Sequence, residues 1–317
     1  MLKLLTNQVV VGPMAGITDD VFRKLIWEQG PALVWTEMIS AQALLYNNPR
    51  TWQMAVSADE KGPVVVQLFG KEPDLMARAA QKLRELKPAA LDINMGCPAP
   101  KIVNNGEGAA LLKNPSLAAA IVQAMVEAVE LPVLAKIRLG FDEEHKNAVE
   151  VAEQLAAAGA AAITVHGRTR SQFYGGRANW EEIRRVKEAV PVPVIGSGDI
   201  FTPEDAGKML AVAGTDAVML ARGILGNPWL IGRTVKYLAT GAAPPEPEMK
   251  ERWVMMLRHF ELAVARKGEQ QGVVQMRKHL AWYTKGLPGA ARLREEIMHA
   301  TEAERVRQIL KSYFKVR

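Results

Sequence analysis

Eight short apolar runs recur between residues 9 and 220, and most are followed by a longer segment with helical periodicity. The runs are VVV (9–11), ALVWT (32–36), VVVQL (64–68), ALDIN (90–94), VLAKI (133–137), AITVH (162–166), PVIG (193–196) and AVML (217–220). They are continuously apolar, which is typical of strands in a parallel sheet that is covered on both faces. Intervening segments such as DLMARAAQKLREL (74–86) have the spacing of amphipathic helices. Eight β-then-α units predict an α/β fold, a (β/α)8 TIM barrel, with a doubly wound open sheet as the alternative.

The C-terminal part of the chain departs from this pattern. The alternation fades near Tyr237, and GAAPPEPE (241–248) has the composition of a Pro-rich linker. Beyond it, about three amphipathic helices are predicted in WVMMLRHFELAVARKG, VVQMRKHLAWYTKG and TEAERVRQILKSYF. We therefore expect a barrel domain over residues 1–240, a linker, and a small helical domain over residues 249–317.

The net charge of +6 is concentrated in that last segment. Residues 249–317 hold 15 Lys and Arg against 7 Asp and Glu, a balance of +8, whereas residues 1–248 hold 25 against 27, a balance of −2. A basic segment on a nearly neutral body favours a polyanionic partner, and a solvated helical face is the alternative.

The expected compartment follows from what the sequence lacks. It has no run of 18 apolar residues, and its N-terminal MLKLLTNQVVVGPMAG lacks the parts of a signal peptide, so no membrane association is predicted. Cys97 is the only cysteine, which excludes an intrachain disulfide and a CxxC-type zinc cluster. We expect a cytoplasmic protein without an obligate protein partner or a metal.

Polar residues follow nearly every predicted strand. The residues at the strand ends are Pro13-Met14, Thr36-Glu37, Gln67, Asn94 with Cys97, Lys136 with Arg138, His166 with Arg168, Ser197-Gly198-Asp199 and Ala221-Arg222-Gly223, and nearly every group includes a polar side chain. The active sites of TIM barrels lie at this end of the strands, and burying unpaired polar groups is costly, so a ring of them predicts a functional site. For single members the alternatives are an internal ion pair of Lys136 with Glu37 and a structural role for His166.

The seventh and eighth loops have the composition of a phosphate site. VIGSGDI (194–200) and VMLARGILG (218–226) place small residues directly after a strand, and Thr202-Pro203 is expected to open a helix. Backbone N–H groups there, with Arg222, are suited to an anion. A phosphate-bearing cofactor bound there would have its ring near Gln67, Lys136 and His166, and FMN fits, since a lysine stabilises the reduced flavin.

Several motifs together resemble the tRNA-dihydrouridine synthases, especially the bacterial branch labelled B. They are PMAGITDDVFR (13–23), VVQLFG (65–70), DINMGCPAPKIVNNGEGAALL (92–112), KIRLGFD (136–142), VHGRTRSQFYGGRANW (165–180) and GSGDI (196–200). RKHLAWYTKG (277–286) resembles that family's RNA-binding domain. The resemblance implies reduction of the C5=C6 bond of specific uridines in tRNA by FMN, with NADPH as the electron donor.

The resemblance also implies roles for individual residues. FMN contacts are expected from Pro13, Met14, Ala15, Gln67, Lys136, His166, Ser197, Gly198, Asp199, Ala221 and Arg222. Many members have Asn at the position of Ser197, so FMN affinity is expected to differ. Lys136 and His166 are also counted as catalytic. Asn94, Arg168 and Arg170 are expected to contact the RNA, and the two arginines are suited to phosphates of the RNA or the cofactor.

Cys97 is expected to be the acid of this reaction. Saturating a uracil double bond requires a hydride at one carbon and a proton at the other, and the resemblance assigns the proton to this thiol. A thiol with a pKa of about 8.5 is mostly protonated at neutral pH and can donate. The alternative is a small buried apolar residue. Tyr174 and Trp180 are expected either to stack on nucleotides or to pack the loop.

Three other functions remain open at this stage. An FMN barrel that acts on a free pyrimidine, like dihydroorotate dehydrogenase, is the main alternative, although the basic tail argues against it. A lyase or aldolase would use Lys136 as a Schiff-base nucleophile. A non-enzymatic RNA-binding protein would use the barrel only as a scaffold.

Overall fold

The computed structural model describes residues 2–315. Eight parallel strands close into a barrel in the order β1-β2-β3-β4-β5-β6-β7-β8. They are β1 Val9–Val11, β2 Leu33–Ser40, β3 Val64–Phe69, β4 Ala90–Met95, β5 Val133–Arg138, β6 Ala162–His166, β7 Val194–Ser197 and β8 Ala217–Leu220. The predicted TIM barrel is confirmed, and each apolar run of the sequence forms its strand.

Helices lie between successive strands and cover the outside of the barrel. Those up to the end of the barrel are α1 Asp20–Trp27, α2 Ala41–Leu45, α3 Pro49–Gln53, α4 Pro73–Leu83, α5 Pro100–Val103, α6 Pro115–Ala128, α7 Ala148–Ala157, α8 Trp180–Ala189, α9 Pro203–Ala213 and α10 Trp229–Thr240. Short 3-10 turns occupy Leu2–Leu4, Arg84–Leu86, Gly108–Lys113 and Arg222–Ile224. As predicted, Thr202 caps α9, and it forms a capping box with Asp205.

Strand register brings the polar residues of the sequence together. Pairing aligns Gln67 with Asp92 and Asn94 with Lys136. Arg138 is aligned with His166 in the same way. Because alternate residues of a strand face the same side, the inward-facing residues of each strand form successive layers inside the barrel. The lower layers are apolar and fully buried, with Val10, Leu33, Val65, Ala90, Leu134, Ala162, Ile195 and Ala217 among their members. The polar ring therefore lies on a packed floor.

β2 is longer than its apolar run predicted. It continues to Ser40, with an irregularity in the pairing with β3 between Trp35 and Met38. The polar pair Thr36-Glu37 lies within this irregularity, in the middle of the strand. Glu37 Oε2 accepts a hydrogen bond from the Gly16 backbone N–H, so this acid supports the loop after β1.

The C-terminal region contains four helices in the described part of the chain, where the sequence predicted about three. They are α11 Met249–Lys267, α12 Glu269–Tyr283, α13 Ala290–His299 and α14 Ala303–Lys315. α13 was missed because it is short and follows a Gly- and Pro-containing loop. Among residues 2–315, no helix is both long and apolar enough to cross a membrane.

The helical region shares a hydrophobic core with the barrel. Val21 and Leu25 of α1 are buried in one cluster with Met256, Phe260 and Leu280 of α11 and α12. The two parts therefore pack as one body across α1, although residues 241–248 form no helix or strand.

Candidate active site

A cavity of 380 Å³ lies at the C-terminal ends of the strands. Its walls contain most of the residues singled out in the sequence, namely Pro13, Met14, Ala15, Gln67, Asn94, Cys97, Lys136, His166, Ser197, Gly198, Asp199, Ala221 and Arg222. These residues come from loops or strand ends on both sides of the barrel. Their convergence on one space is what a ring of polar strand ends predicts.

A chain of hydrogen bonds runs along one wall of the cavity. Asp92 Oδ2 accepts from Trp35 Nε1 at 3.0 Å and from Gln67 Nε2 at 2.7 Å. Gln67 Oε1 accepts from Asn94 Nδ2 at 2.8 Å, and Asn94 Oδ1 accepts from the Cys97 backbone N–H at 2.8 Å. The chain therefore connects a buried carboxylate beneath the cavity to the loop that carries the thiol.

Both backbone groups of Cys97, its N–H and its carbonyl, form hydrogen bonds. Its N–H donates to Asn94, and its carbonyl accepts from the Ala109 N–H at 3.1 Å. A side chain at Gly108, which has a φ of +60°, would lie 2.9 Å from the Cys97 carbonyl oxygen. Glycine is required there because the 3-10 turn packs directly against the Cys97 loop. The thiol is half-buried and lines the cavity.

Three basic side chains of β5 and β6 line the cavity, and two of them, Lys136 and Arg138, lie near Cys97. Burial is the main cause that lowers the pKa of Lys136 to about 8, with Arg138 adding to it and Asp92 and Cys97 opposing it. Burial, followed by repulsion from Lys136 and Arg138, holds the pKa of His166 well below 6.5. At pH 7 the site therefore contains a mostly charged lysine, a charged arginine and a neutral histidine.

Lys136 does not form the ion pair with Glu37 that the sequence left open. Within the described chain its ammonium has no hydrogen-bond or ion-pair partner, and Asp92 is the acid that stabilises its charge. Glu37 instead lies near Lys267 and Lys278 of the helical region. A half-buried ammonium without a protein partner is suited to an external acceptor.

The seventh loop is a tight turn that only particular residues can form. Gly198 has a φ of +118°, and a Cβ there would lie 2.9 Å from His166 Cδ2. Asp199 has a φ of +57°, which is uncommon for a residue other than glycine. Its carboxylate accepts from Arg168 Nη2 at 2.7 Å, from the Ala178 N–H at 2.7 Å and from Arg222 Nη2 at 3.1 Å. The carboxylate thus holds the strained turn at the cavity wall, which Gly198 and Asp199 line.

Arg168 and Arg170, which are predicted to contact phosphates, lie in the loop after β6. Arg168 is 1% exposed and donates to the carbonyls of Gly175 and Gly176 as well as to Asp199, so it supports the loop from within. The Arg170 guanidinium lies against the rings of Phe141 and Phe173. Neither arginine lines the cavity, although Tyr174 of the same loop does.

Arg138 and Tyr174 also lie in the cavity wall. The sequence placed Arg138 in the ring of strand-end residues without giving it a role, and left Tyr174 open between stacking on nucleotides and packing the loop. Arg138 is two residues beyond Lys136 on the same inward face of β5, which agrees with its place in that ring. Tyr174 is 53% exposed, and its ring lies 4.6 Å from the Arg222 guanidinium at the cavity mouth. Trp180 is half-buried and donates to the Gly198 carbonyl at 3.0 Å, so it packs the seventh loop.

The helical region contacts two of the loops that form the cavity. Lys278 of α12 donates to the Gly16 carbonyl, next to the cavity-lining Ala15. In the eighth loop, a Cβ at Gly226 would lie 2.3 Å from the Trp282 carbonyl carbon. The α12 backbone therefore packs against the segment that continues from Ala221 and Arg222.

Comparison with known proteins agrees with the family resemblance. The dihydrouridine synthase (Dus) family matches residues 9–316. A probable tRNA-dihydrouridine synthase 1 of Synechocystis is 42% identical over 308 residues, which cover 96% of this chain and 86% of that protein. The tRNA-dihydrouridine synthase B of Pseudomonas aeruginosa is 40% identical, with 92% and 88% covered. A sequence match over nearly the whole barrel and helical region, together with the confirmed fold, shows that the chain belongs to the dihydrouridine synthase family.

Proposed function

We propose that the protein is a flavin-dependent tRNA-dihydrouridine synthase. It reduces the C5=C6 bond of specific uridines in tRNA, with FMN as the cofactor and NADPH as the electron donor. The proposal is supported by one cavity that contains Cys97, the oriented amides of Gln67 and Asn94, and the basic side chains of Lys136, Arg138 and Arg222. It is also supported by the membership of the chain in this family. The tRNA substrate and the type B relationship rest on the names of the relatives, and NADPH rests on the family resemblance.

The residues at the cavity are suited to FMN. The seventh and eighth loops offer backbone groups around Gly198 and Ala221, and Arg222 lies beside them. Lys136, which has no hydrogen-bond or ion-pair partner among residues 2–315, is suited to the electron-rich edge of a reduced flavin. The Gln67 amide is suited to another polar edge. Bound there and reduced, FMN would supply the hydride that saturates the uracil ring.

The remaining chemistry belongs to side chains of the protein. Cys97 donates the proton to C5, since its side chain lines the cavity on a loop that a backbone hydrogen bond to Asn94 holds in place. Asn94 and Arg138 are suited to the uracil carbonyl oxygens, where negative charge develops during reduction. A lysine that stays mostly protonated at pH 7 adds to that stabilisation, and neutral His166 acts as a hydrogen-bond partner.

A uridine can reach this cavity only if it is turned out of the folded RNA. Tyr174 and Arg222 at the mouth offer an aromatic face and a charge to the displaced nucleotide. The helical region, with its balance of +8, binds the phosphate backbone around it. A tRNA substrate agrees with the cytoplasmic location expected from the sequence.

The test uses purified protein with its flavin, NADPH and tRNA from a strain that lacks dihydrouridine. Dihydrouridine is quantified by mass spectrometry, with already modified tRNA as the control substrate. We expect formation by the wild type and strong loss in Cys97→Ala. A flavoprotein that oxidises NADPH and reduces free pyrimidines, but leaves every tRNA unchanged, would overturn the proposal in favour of the small-molecule alternative.

A further inference from the structure

A buried carboxylate lies directly beneath the cavity. Asp92 on β4 is fully buried in the layer below the ring of polar residues, and it does not line the cavity. Its Oδ2 accepts two hydrogen bonds, from Trp35 and Gln67. Its Oδ1 is buried and has no hydrogen-bond partner in the described part of the chain.

The hydrogen bonds above Asp92 all point in one direction. A carboxylate only accepts hydrogen bonds, so the nitrogen of the Gln67 amide must face it and the Gln67 oxygen must face Asn94. Because the Gln67 oxygen can only accept a hydrogen bond, the nitrogen of the Asn94 amide must face it. Asn94 Oδ1 is then left to accept from the backbone N–H groups of Gly96 at 3.2 Å and Cys97 at 2.8 Å.

We propose that Asp92 is a positioning residue, whose carboxylate sets the direction of the Gln67 and Asn94 amides and thereby fixes the loop that carries Cys97. The inference rests on the proposed function only in that Cys97 acts in the reaction, because the hydrogen-bond chain itself is independent of the substrate. The Asp92 carboxylate also determines which amide atoms Gln67 and Asn94 present to a ligand.

Stability alone does not account for this carboxylate. Burial raises the pKa of Asp92 to about 6, against the opposing effects of Gln67, Trp35 and Lys136, so ionisation costs free energy in the folded protein. A neutral residue of similar size would avoid that cost. A carboxylate has no donor, so it holds the lower end of the chain in the direction that the Gly96 and Cys97 N–H groups require at the upper end. An amide at position 92 can instead turn its NH2 group toward Gln67, which breaks the chain.

The test measures the rate at which iodoacetamide alkylates Cys97 in the full-length protein without RNA. We expect Asp92→Asn to raise that rate about fivefold, the change that corresponds to the loss of one ordering hydrogen bond. Thr164→Val is the matched control, since Thr164 is also buried inside the barrel and its hydroxyl has no hydrogen-bond partner among the described residues. Circular dichroism establishes that each variant is folded.

A double variant distinguishes a positioning role of Asp92 from a general loss of barrel stability. If the effect passes through Asn94, then Asp92→Asn adds nothing to the rate in an Asn94→Ala protein. Gln67→Met breaks the chain above Asp92, whose carboxylate keeps its hydrogen bond from Trp35. The same rise is expected there, which covers the case in which Asp92→Asn does not fold.

An unchanged rate in folded Asp92→Asn or Gln67→Met, or an equal rise in Thr164→Val, would overturn the inference. The alkylation result does not depend on tRNA reduction. Failure of the proposed function is seen separately, as the absence of dihydrouridine with the wild-type protein.

Discussion

Replacing Gly226 with alanine tests whether the helical region supports the cavity loops. Gly226 has a φ of +70°, and an added Cβ would lie 2.3 Å from the Trp282 carbonyl carbon and 2.6 Å from the Tyr283 nitrogen. These are backbone atoms of α12, which cannot turn aside as a side chain can. Gly214 is the matched control, because its φ is +63° and an added Cβ would meet nothing within 4 Å.

The two substitutions share one cost and differ in another. Left-handed backbone at a non-glycine residue costs about 1–2 kcal/mol at either position. Overpacking against α12 adds about 1–3 kcal/mol at Gly226 alone. With unfolding entropy proportional to length, 1 kcal/mol lowers the Tm of a chain of this size by about 1.5 °C. We expect a fall of about 1.5–3 °C for Gly214→Ala and about 3–8 °C for Gly226→Ala.

Thermal unfolding and flavin retention are measured on both variants. Gly226→Ala is also expected to release flavin more readily, because the displaced loop continues from Ala221 and Arg222 in the cavity wall. Gly214 follows α9 and precedes β8, at the opposite end of the barrel, so Gly214→Ala should retain flavin like the wild type. Equal Tm values and equal retention in the two variants would refute the reasoning.

Three further predictions concern the helical region. Burial lowers the pKa of His259 to about 3 and of His279 to about 2, so below pH 6.5 the unfolded chain takes up protons that the folded chain does not. Stability should therefore fall from pH 6.5 to 5 by up to about 2 kcal/mol per histidine, as followed by urea unfolding, and an unchanged midpoint would contradict this. Lys278→Met should weaken flavin binding several-fold in a titration, since Gly16 loses its carbonyl partner, whereas exposed Lys285→Met should not. Affinity for tRNA in filter binding should fall linearly with log salt concentration, and a flat dependence would exclude a phosphate-binding role.

The sequence predicts the barrel and most of the cavity because both depend on local patterns. A continuous apolar run marks a buried strand, and the polar residue at its end must lie at the mouth once eight strands close. Gln67, Lys136 and His166 could be assigned in this way. The same pattern places Arg138 in the wall, as the second inward residue after Leu134.

What the sequence did not predict depends on contacts between distant segments. Arg168 and Arg222 each follow a strand by two residues, and only the fold of the loop decides that Arg168 is buried against carbonyls while Arg222 faces the cavity. The direction of the amides depends on an acceptor at position 92, one layer below them. The contact of Lys278 with Gly16 joins residues 262 positions apart. No local periodicity reports on such pairs.

The central claim is that Cys97 protonates the uracil in this cavity. The most direct test separates the two half-reactions by stopped-flow absorbance of the flavin under anaerobic conditions. NADPH should reduce the flavin at the same rate in wild type and Cys97→Ala. After the addition of unmodified tRNA, reoxidation should be slower in the variant by a factor of about 10²–10⁴, the usual contribution of a general acid. Reoxidation of the variant at the wild-type rate, or equal slowing of both half-reactions, would contradict the account.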